Sequence, residues 1–518
     1  MALAPAWLAP VAVLAFTLVL ACLLPAEAAT TRRESAKVPL GLNLSGVVDW
    51  SSDIVFVDAF KAARKWISQR EGQPWGQGGP LKLDDRGHVL ALAPGQFAET
   101  IVYTGFERRY PAGVFTALYE GDGDLDFRGD ARVVKRQPGR LQVEIQPKSG
   151  QVTARLTRTN PENPLRGIRL IHPGFENQHI DRPFHPEFLK RWAGFAAYRF
   201  MDWGETNNSK LTRWRDRPTP AHHSQALHGV APEYLIQLAN TQQTDAWFCI
   251  PHLADDEFIR EYALLVKAQL DPARKVYVEY SNECWNGQFE QARYCQDQGK
   301  KLGLSQNAFE GQLRFYSQRS VEVFKIWQEV LGKDRLVCVL AAQSANPWTG
   351  ETILAWRDAA HHAKAIAIAP YFGNRFGDPK HVASTLALTP EQLCDRLAKD
   401  IDANQKVVKA YARLAQQHNM TLLAYEGGQH LAGFQGAENN DQLTALFHAA
   451  NRHPQMKQLY LQDLRQWQNA GGGLFCIFSS MGTYSKWGSW GLLEHTDQDV
   501  HQAPKWQAVR EWLGGNVR

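Results

Sequence analysis

The sequence predicts an α/β fold, a (β/α)8 TIM barrel carrying an antiparallel β-sandwich inserted between its first helix and its second strand. Three observations lead there. Short apolar runs recur eight times, at 38–44, 195–200, 246–251, 276–280, 336–340, 365–369, 422–425 and 473–478. Helix-patterned stretches separate them, and strand–helix alternation repeated eight times is the mark of a closed parallel barrel. Between the first and second runs the texture changes to short alternating pieces such as Val89-Leu90-Ala91-Leu92, Glu99-Thr100-Ile101-Val102-Tyr103 and Leu141-Gln142-Val143-Glu144-Ile145. Gly, Pro and Asp break these pieces at strand length, which reads as a small sandwich.

Taken in order, 1–28 reads as a signal peptide or membrane anchor. An apolar run from Trp7 to Leu24 is followed by Ala26-Glu27-Ala28, the small-x-small pattern of a signal-peptidase site, and by Arg32-Arg33. Val19-Leu20-Ala21-Cys22 loosely matches a lipoprotein cleavage site. Cleaved, lipid-anchored or helix-anchored, each version sends the folded part out of the cytosol, so the expected location is extracytoplasmic. Residues 38–74 read as the first β/α unit, with a helix over 54–68. The sandwich follows over 75–165, and 166–518 supplies the remainder of the barrel. Its helices are expected at 232–239, 255–269, 308–330, 391–416 and 442–468, with a closing helix near 505–513. A doubly wound open sheet is the rival architecture. It calls for a Gly-rich phosphate turn after the first strand, and Gly41-Leu42-Asn43-Leu44-Ser45-Gly46 does not supply one.

Composition narrows the function classes. The net charge of the 518 residues is 57 − 53 = +4, with no dense Lys/Arg stripe, so nucleic acid is not an expected partner. Seventeen Trp against five Met is unusual; large flat side chains suit sugar rings and also fill cores. Of the cysteines beyond Cys22, Cys249, Cys284, Cys338 and Cys476 fall in or just after apolar runs and read as buried small hydrophobes. No Cys/His spacing typical of zinc is present. The acidic stretch 121–130 lacks the ligand order of a calcium loop and reads as a hairpin. Without a Gly-x-Ser-x-Gly elbow or a Walker loop, neither acyl nor phosphoryl transfer is indicated.

The ends of the strands carry the chemistry, because a barrel builds its active site at their C-terminal face. Strand 4 runs Tyr277-Val278-Glu279-Tyr280-Ser281-Asn282-Glu283-Cys284-Trp285, and strand 7 runs Leu422-Leu423-Ala424-Tyr425-Glu426-Gly427-Gly428. Each apolar run ends in a carboxylate, and the two tips face one another across the mouth. Two facing carboxylates meet the needs of glycosidic-bond cleavage, one protonated to assist the leaving oxygen and one ionised to attack the anomeric carbon. No cofactor or metal is required.

These residues resemble clan A of the retaining glycoside hydrolases, over the eight strand ends. The resemblance implies Glu283 as acid/base, Glu426 as nucleophile and Asn282 as donor to the sugar 2-hydroxyl. It further implies Arg199 at the tip of strand 2 as the group that orients the nucleophile, with His252 after strand 3 and Tyr371 after strand 6 nearby. The stretches 199–209 and 277–286 also resemble a poorly characterised group of bacterial carbohydrate-active or carbohydrate-binding proteins; Cys284 departs from that group's apolar β-branched residue. Many clan members place a Trp at the tip of strand 8, where Phe478-Ser479-Ser480 stands here. Trp487 or Trp490 in the next loop is the expected substitute, Trp490 being the candidate site residue. Trp203 and Trp285 are further candidate sugar-stacking rings. The expected function is a retaining glycoside hydrolase acting on an extracellular or cell-envelope poly- or oligosaccharide. Its alternatives are a non-catalytic polysaccharide-binding protein on the same scaffold, or a transglycosylase or lyase.

Overall fold

The computed structural model describes residues 37–105 and 107–515. The expected signal or anchor segment at 1–28 lies outside the described residues. Within them, no helix is long and apolar enough to cross a membrane.

The chain opens with β1 (Leu40–Asn43) and leaves at once for the inserted domain. Its first four strands are β2 (Ile67–Arg70), β3 (Lys82–Leu83), β4 (Val89–Ala91) and β5 (Gln96–Thr104). The next three are β6 (Gly113–Glu120), β7 (Gly123–Gly129) and β8 (Ala131–Gln137). They are followed by β9 (Arg140–Ile145), β10 (Gln151–Thr159) and β11 (Arg166–Ile171). Apart from the small β3–β4 hairpin they form two four-stranded sheets, ordered β2-β5-β10-β7 and β11-β6-β9-β8. Alternation explains the packing: Leu141, Val143 and Ile145 of β9 point inward onto Phe115, Leu125 and Phe127, while the residues between them face outward. The acidic stretch 121–130 is not the expected hairpin: it is the connection that crosses from β6 in one sheet to β7 in the other, and β7 itself, which pairs with β10. Asp124 pairs with Arg158 and Asp126 with Arg136.

After the insert come α1 (Pro186–Trp192), β12 (Ala197–Arg199) and α2 (Pro232–Gln242). Next are β13 (Asp245–Ile250), α3 (Asp256–Gln269), β14 (Val276–Tyr280), α4 (Glu290–Lys301) and α5 (Ala308–Leu331). The chain continues through β15 (Leu336–Ala341), α6 (Pro347–Ala355), α7 (Ala359–His362), β16 (Ala365–Ile368), α8 (Val382–Leu386) and α9 (Pro390–Gln417). It finishes with β17 (Thr421–Ala424), α10 (Asp441–Arg452), α11 (Gln455–Asn469), β18 (Phe475–Phe478) and α12 (Pro504–Trp512). The eight strands β1 and β12 to β18 pair in parallel, and β1 closes on β18 with Gly41 opposite Cys476. The expected barrel and its sandwich are both present.

Two further expectations need correction. The segment 54–68 holds no α-helix, only a 3-10 turn over Ala59–Ala62. Its apolar residues pack instead at the junction of the two parts, where Phe56 bridges to Phe184 and Asp58 accepts from the Leu170 and Phe60 amides. The first helix is therefore α1, and the sandwich is inserted between the first strand and that helix. Its strands run from 67 to 171, wider than the expected 75–165. The single helix expected over 442–468 is two, α10 and α11, broken at His453-Pro454.

Candidate active site

Strand parity places the site. On β12 and β14, Tyr198, Val276, Val278 and Tyr280 point outward into the core beneath the helices. Ala197 and Tyr277 point into the barrel, where Trp247, Cys249, Ala367 and Cys476 also lie. Side chains alternate along a strand, so Arg199 and Glu279 belong to that inner set. The register puts Cys249 beside Glu279 and Arg199 beside Trp247. The barrel is filled with small and apolar side chains below and polar ones at its C-terminal end.

Arg199 is the hub. It has no solvent exposure, and each of its five N–H groups finds an acceptor. Nε and Nη2 donate to Glu279 Oε2 at 3.1 and 3.0 Å, and Nη2 also donates to Asn282 Oδ1 at 2.8 Å. Nη1 donates to Asn43 Oδ1 at 3.1 Å and to Glu426 Oε1 at 2.9 Å. Trp247 Nε1 donates to the same Glu279 oxygen at 2.9 Å. Glu279 is thus a fixed counter-charge, and Arg199 is locked in one pose with one fork aimed at Glu426.

The second oxygen of Glu426 accepts from the Tyr371 hydroxyl at 3.0 Å. Gly427 follows because nothing larger fits: a Cβ there would lie 2.3 Å from the Phe475 ring. Opposite, Glu283 Oε1 accepts from the Tyr425 hydroxyl and Oε2 from the Asn286 amide, both at 2.9 Å. The chain reaches Glu283 through left-handed backbone at Ser281 (φ 60°) and Glu283 itself (φ 42°). Such conformations cost about 1–3 kcal/mol each for a residue with a Cβ and cluster where function requires them. Between them, Asn282 accepts from Arg199 and donates one amide hydrogen to Asn207 Oδ1 at 3.0 Å. Its second amide hydrogen has no acceptor among the described residues.

Burial lifts both carboxyls above the ordinary carboxylate range, Glu426 to about 8, with Arg199 pulling it back and the charge on Glu283 adding to the rise. Two such groups hold a proton between them near neutrality. The guanidinium touches Glu426 and not Glu283, which puts the negative charge on Glu426 and the proton on Glu283. The arrangement separates an ionised carboxylate, Glu426, from a protonated one, Glu283.

Aromatic rings wall the Glu426 side. Trp490 packs on Tyr371 at 5.8 Å, on Phe478 at 5.8 Å and on His430 at 4.8 Å. The loop after β18 thus brings Trp490 back to the tip of its own strand, where the Ser479 amide donates to the Trp490 carbonyl. Trp285 sits half-buried beside Glu283, packed against the core. Two expected residues do not take part. Trp203 is fully buried, stacked among Phe188, Phe184 and Phe200, with its indole N–H bound to the Ser45 carbonyl. The chain turns back at 201–205 and drives the ring into the core. His252 is buried against Tyr294 of α4 and meets neither carboxylate; burial lowers its imidazole to about 4, so it is a neutral core histidine.

Other residues of the site were not singled out from sequence. Asn43, Glu279 and Tyr425 look like members of apolar strands, and only inward parity would have marked them. Asp202 lies three residues beyond Arg199. Burial lifts its carboxyl to about 6 against the pull of Arg199, and its charge contributes to the rise of Glu426. Its carboxylate accepts no hydrogen bond among the described residues. His430 is pushed down to about 4 by burial and presents a neutral ring beside Tyr371. All six described cysteines are buried free thiols. No group of His, Cys, Asp and Glu among the described residues is arranged to hold a metal ion.

No family model matches the chain. No curated protein matches it either. Solved structures do. A 4-O-α-L-rhamnosyl-β-D-glucuronidase from Fusarium oxysporum aligns at 12% identity and TM-score 0.38, over 63% of this chain and 62% of that one. A modular endo-β-1,4-mannanase from Cellulomonas fimi aligns at 9% identity and TM-score 0.33, over 61% and 63%. A broad-specificity endoglucanase from Clostridium acetobutylicum aligns at 10% identity and TM-score 0.34, over 62% and 88%. The chain spans less than two thirds of the first two.

Proposed function

We propose that the protein is a retaining glycoside hydrolase that acts outside the cytosol on a poly- or oligosaccharide. The observation that carries this reading is the asymmetric carboxylate pair: Glu426 bound by Arg199 and Tyr371, Glu283 bound only by neutral donors. In the first step a Glu426 oxygen attacks the anomeric carbon, the glycosidic C–O bond breaks, and the leaving oxygen takes the Glu283 proton. In the second step Glu283, now a carboxylate, removes a proton from water. That water displaces Glu426 from the same carbon and returns the pair to its starting state. Asn282 and Asp202 stand ready for sugar hydroxyls, and Trp490 offers a ring to a sugar face. The ordered pair also favours catalysis over a purely binding role, since a binding site has no use for a proton held between two buried acids.

The test is turnover of a panel of polysaccharides by wild type, Glu283→Gln and Glu426→Gln, with melting curves as a control for folding. Reducing ends released by wild type and lost by at least a thousandfold in both variants support the reading. Equal turnover in all three refutes it.

A further inference from the structure

We propose that the groove between α5 and α6 is a second carbohydrate-binding site, outside the catalytic mouth, for a neutral stretch of the same polymer. The nature of the ligand rests on the glycoside-hydrolase reading; the site rests on the groove. Helix α6 follows β15 and is nine residues long. Trp348, Glu351, Thr352 and Ala355 recur at helical spacing and line one side of a groove of about 250 Å³. Trp356, the residue that ends the helix, completes this wall. Glu310 and Arg314, one turn apart near the start of α5, line the other side.

An outward helix face is normally polar, and this one carries a Trp at each end. Eight residues of helical rise set the two about 12 Å apart along the axis, room for a short oligosaccharide rather than one sugar. The rings differ in role. Trp348 is 41% exposed and backed by Phe309 at 6.1 Å, a fixed platform with area to offer. Trp356 is held by Arg314 and Arg357, each 5.0 Å from its ring centre, and forms the end wall. Between them stand acceptors and donors: the Glu351 carboxylate, which has no partner among the described residues, the Thr352 hydroxyl, and Arg314 with its Glu310 partner at 2.7 Å. A flat apolar face edged by hydroxyl-binding groups matches a pyranose. Of the residues that line the groove itself, two are carboxylates and one a guanidinium already paired with Glu310, which favours a neutral polysaccharide over an acidic one.

The test is affinity electrophoresis through gels containing soluble β-glucan, galactomannan, xylan or pectic galactan. It compares Glu426→Gln, which leaves the polymer intact, with Glu426→Gln/Trp348→Ala. A dissociation constant at least fivefold higher for the double variant on one of these polymers supports the site, provided that Trp348→Ala alone turns over short oligosaccharides at the wild-type rate. Equal retention of the two, or retention of neither by any of the four polymers, overturns it. Loss of short-oligosaccharide turnover in Trp348→Ala also overturns it, by placing Trp348 in the catalytic cleft. So does a fall from dimer to monomer in sedimentation, which makes the groove an interface between copies. Failure of the hydrolase reading shows separately, as absence of turnover by the wild type.

Discussion

Replacing Arg199 by Lys keeps the charge and removes the geometry. The guanidinium satisfies acceptors on Glu279, Asn282, Asn43 and Glu426 with five donors, whereas an ammonium has three. At least two of these hydrogen bonds are lost in a fully buried setting. Each buried polar group left unsatisfied costs about 1–3 kcal/mol, so the expected loss of stability is about 2–6 kcal/mol. Breaking a buried pair outright costs about 3–5 kcal/mol, which agrees. Without the fork on Glu426 the proton of the pair is no longer directed to Glu283, and kcat should fall by a further two to three orders of magnitude. Urea denaturation gives the first quantity; initial rates on the polysaccharide that wild type cleaves give the second. A variant within 1 kcal/mol of wild type in stability, or within threefold in kcat, refutes the hub.

Four further outcomes follow. The kcat/KM profile should fall tenfold per pH unit on its alkaline side, as Glu283, lifted above the ordinary carboxylate range by burial, gives up its proton; a rate flat to pH 10 contradicts it. Tyr371→Phe should lower kcat roughly tenfold or more with little change in KM, because the lost hydroxyl holds Glu426; an unchanged kcat contradicts that role. Asp463 on α11 is buried, and burial alone pushes its carboxyl up to about 8. An unfolded carboxyl ionises near 4, so folding binds a proton between those values and stability drains away as pH rises from about 4 to 8. Asp463→Asn should stabilise the protein by on the order of 4 kcal/mol near pH 7 and leave it unchanged near pH 3, in melts at both pH values. Lys505 on α12 is buried under Tyr484 and donates to the Ser489 carbonyl, next to Trp490; burial lowers its ammonium to about 7. Lys505→Met should raise KM severalfold through a looser Trp490 loop while kcat stays within twofold, and an unchanged KM counts against this strut.

Sequence made the barrel legible because parallel strands buried on both faces are continuous apolar runs, and all eight stand where those runs lie. The tips were equally legible: Glu283, Glu426, Arg199 and Tyr371 interrupt apolar texture at the one end where a barrel gathers function. Residues inside the strands were not. Tyr425 and Glu279 reach the site through parity and register, which a single run does not display. Trp203 misled because distance along the chain from a tip says nothing of the turn that follows, and His252 because a strand-end imidazole packs as readily as it binds. The segment 54–68 has helical spacing of apolar residues, yet the sandwich and barrel claim them from different sides, and tertiary packing overrides the local pattern.

The most direct measurement is mass spectrometry of the protein after reaction with a 2-deoxy-2-fluoro glycosyl fluoride of the sugar it cleaves. The account predicts one glycosyl adduct, on the peptide containing Glu426, and none in Glu426→Gln. An adduct on Glu283, or products released with inverted anomeric configuration and no adduct at all, contradicts it.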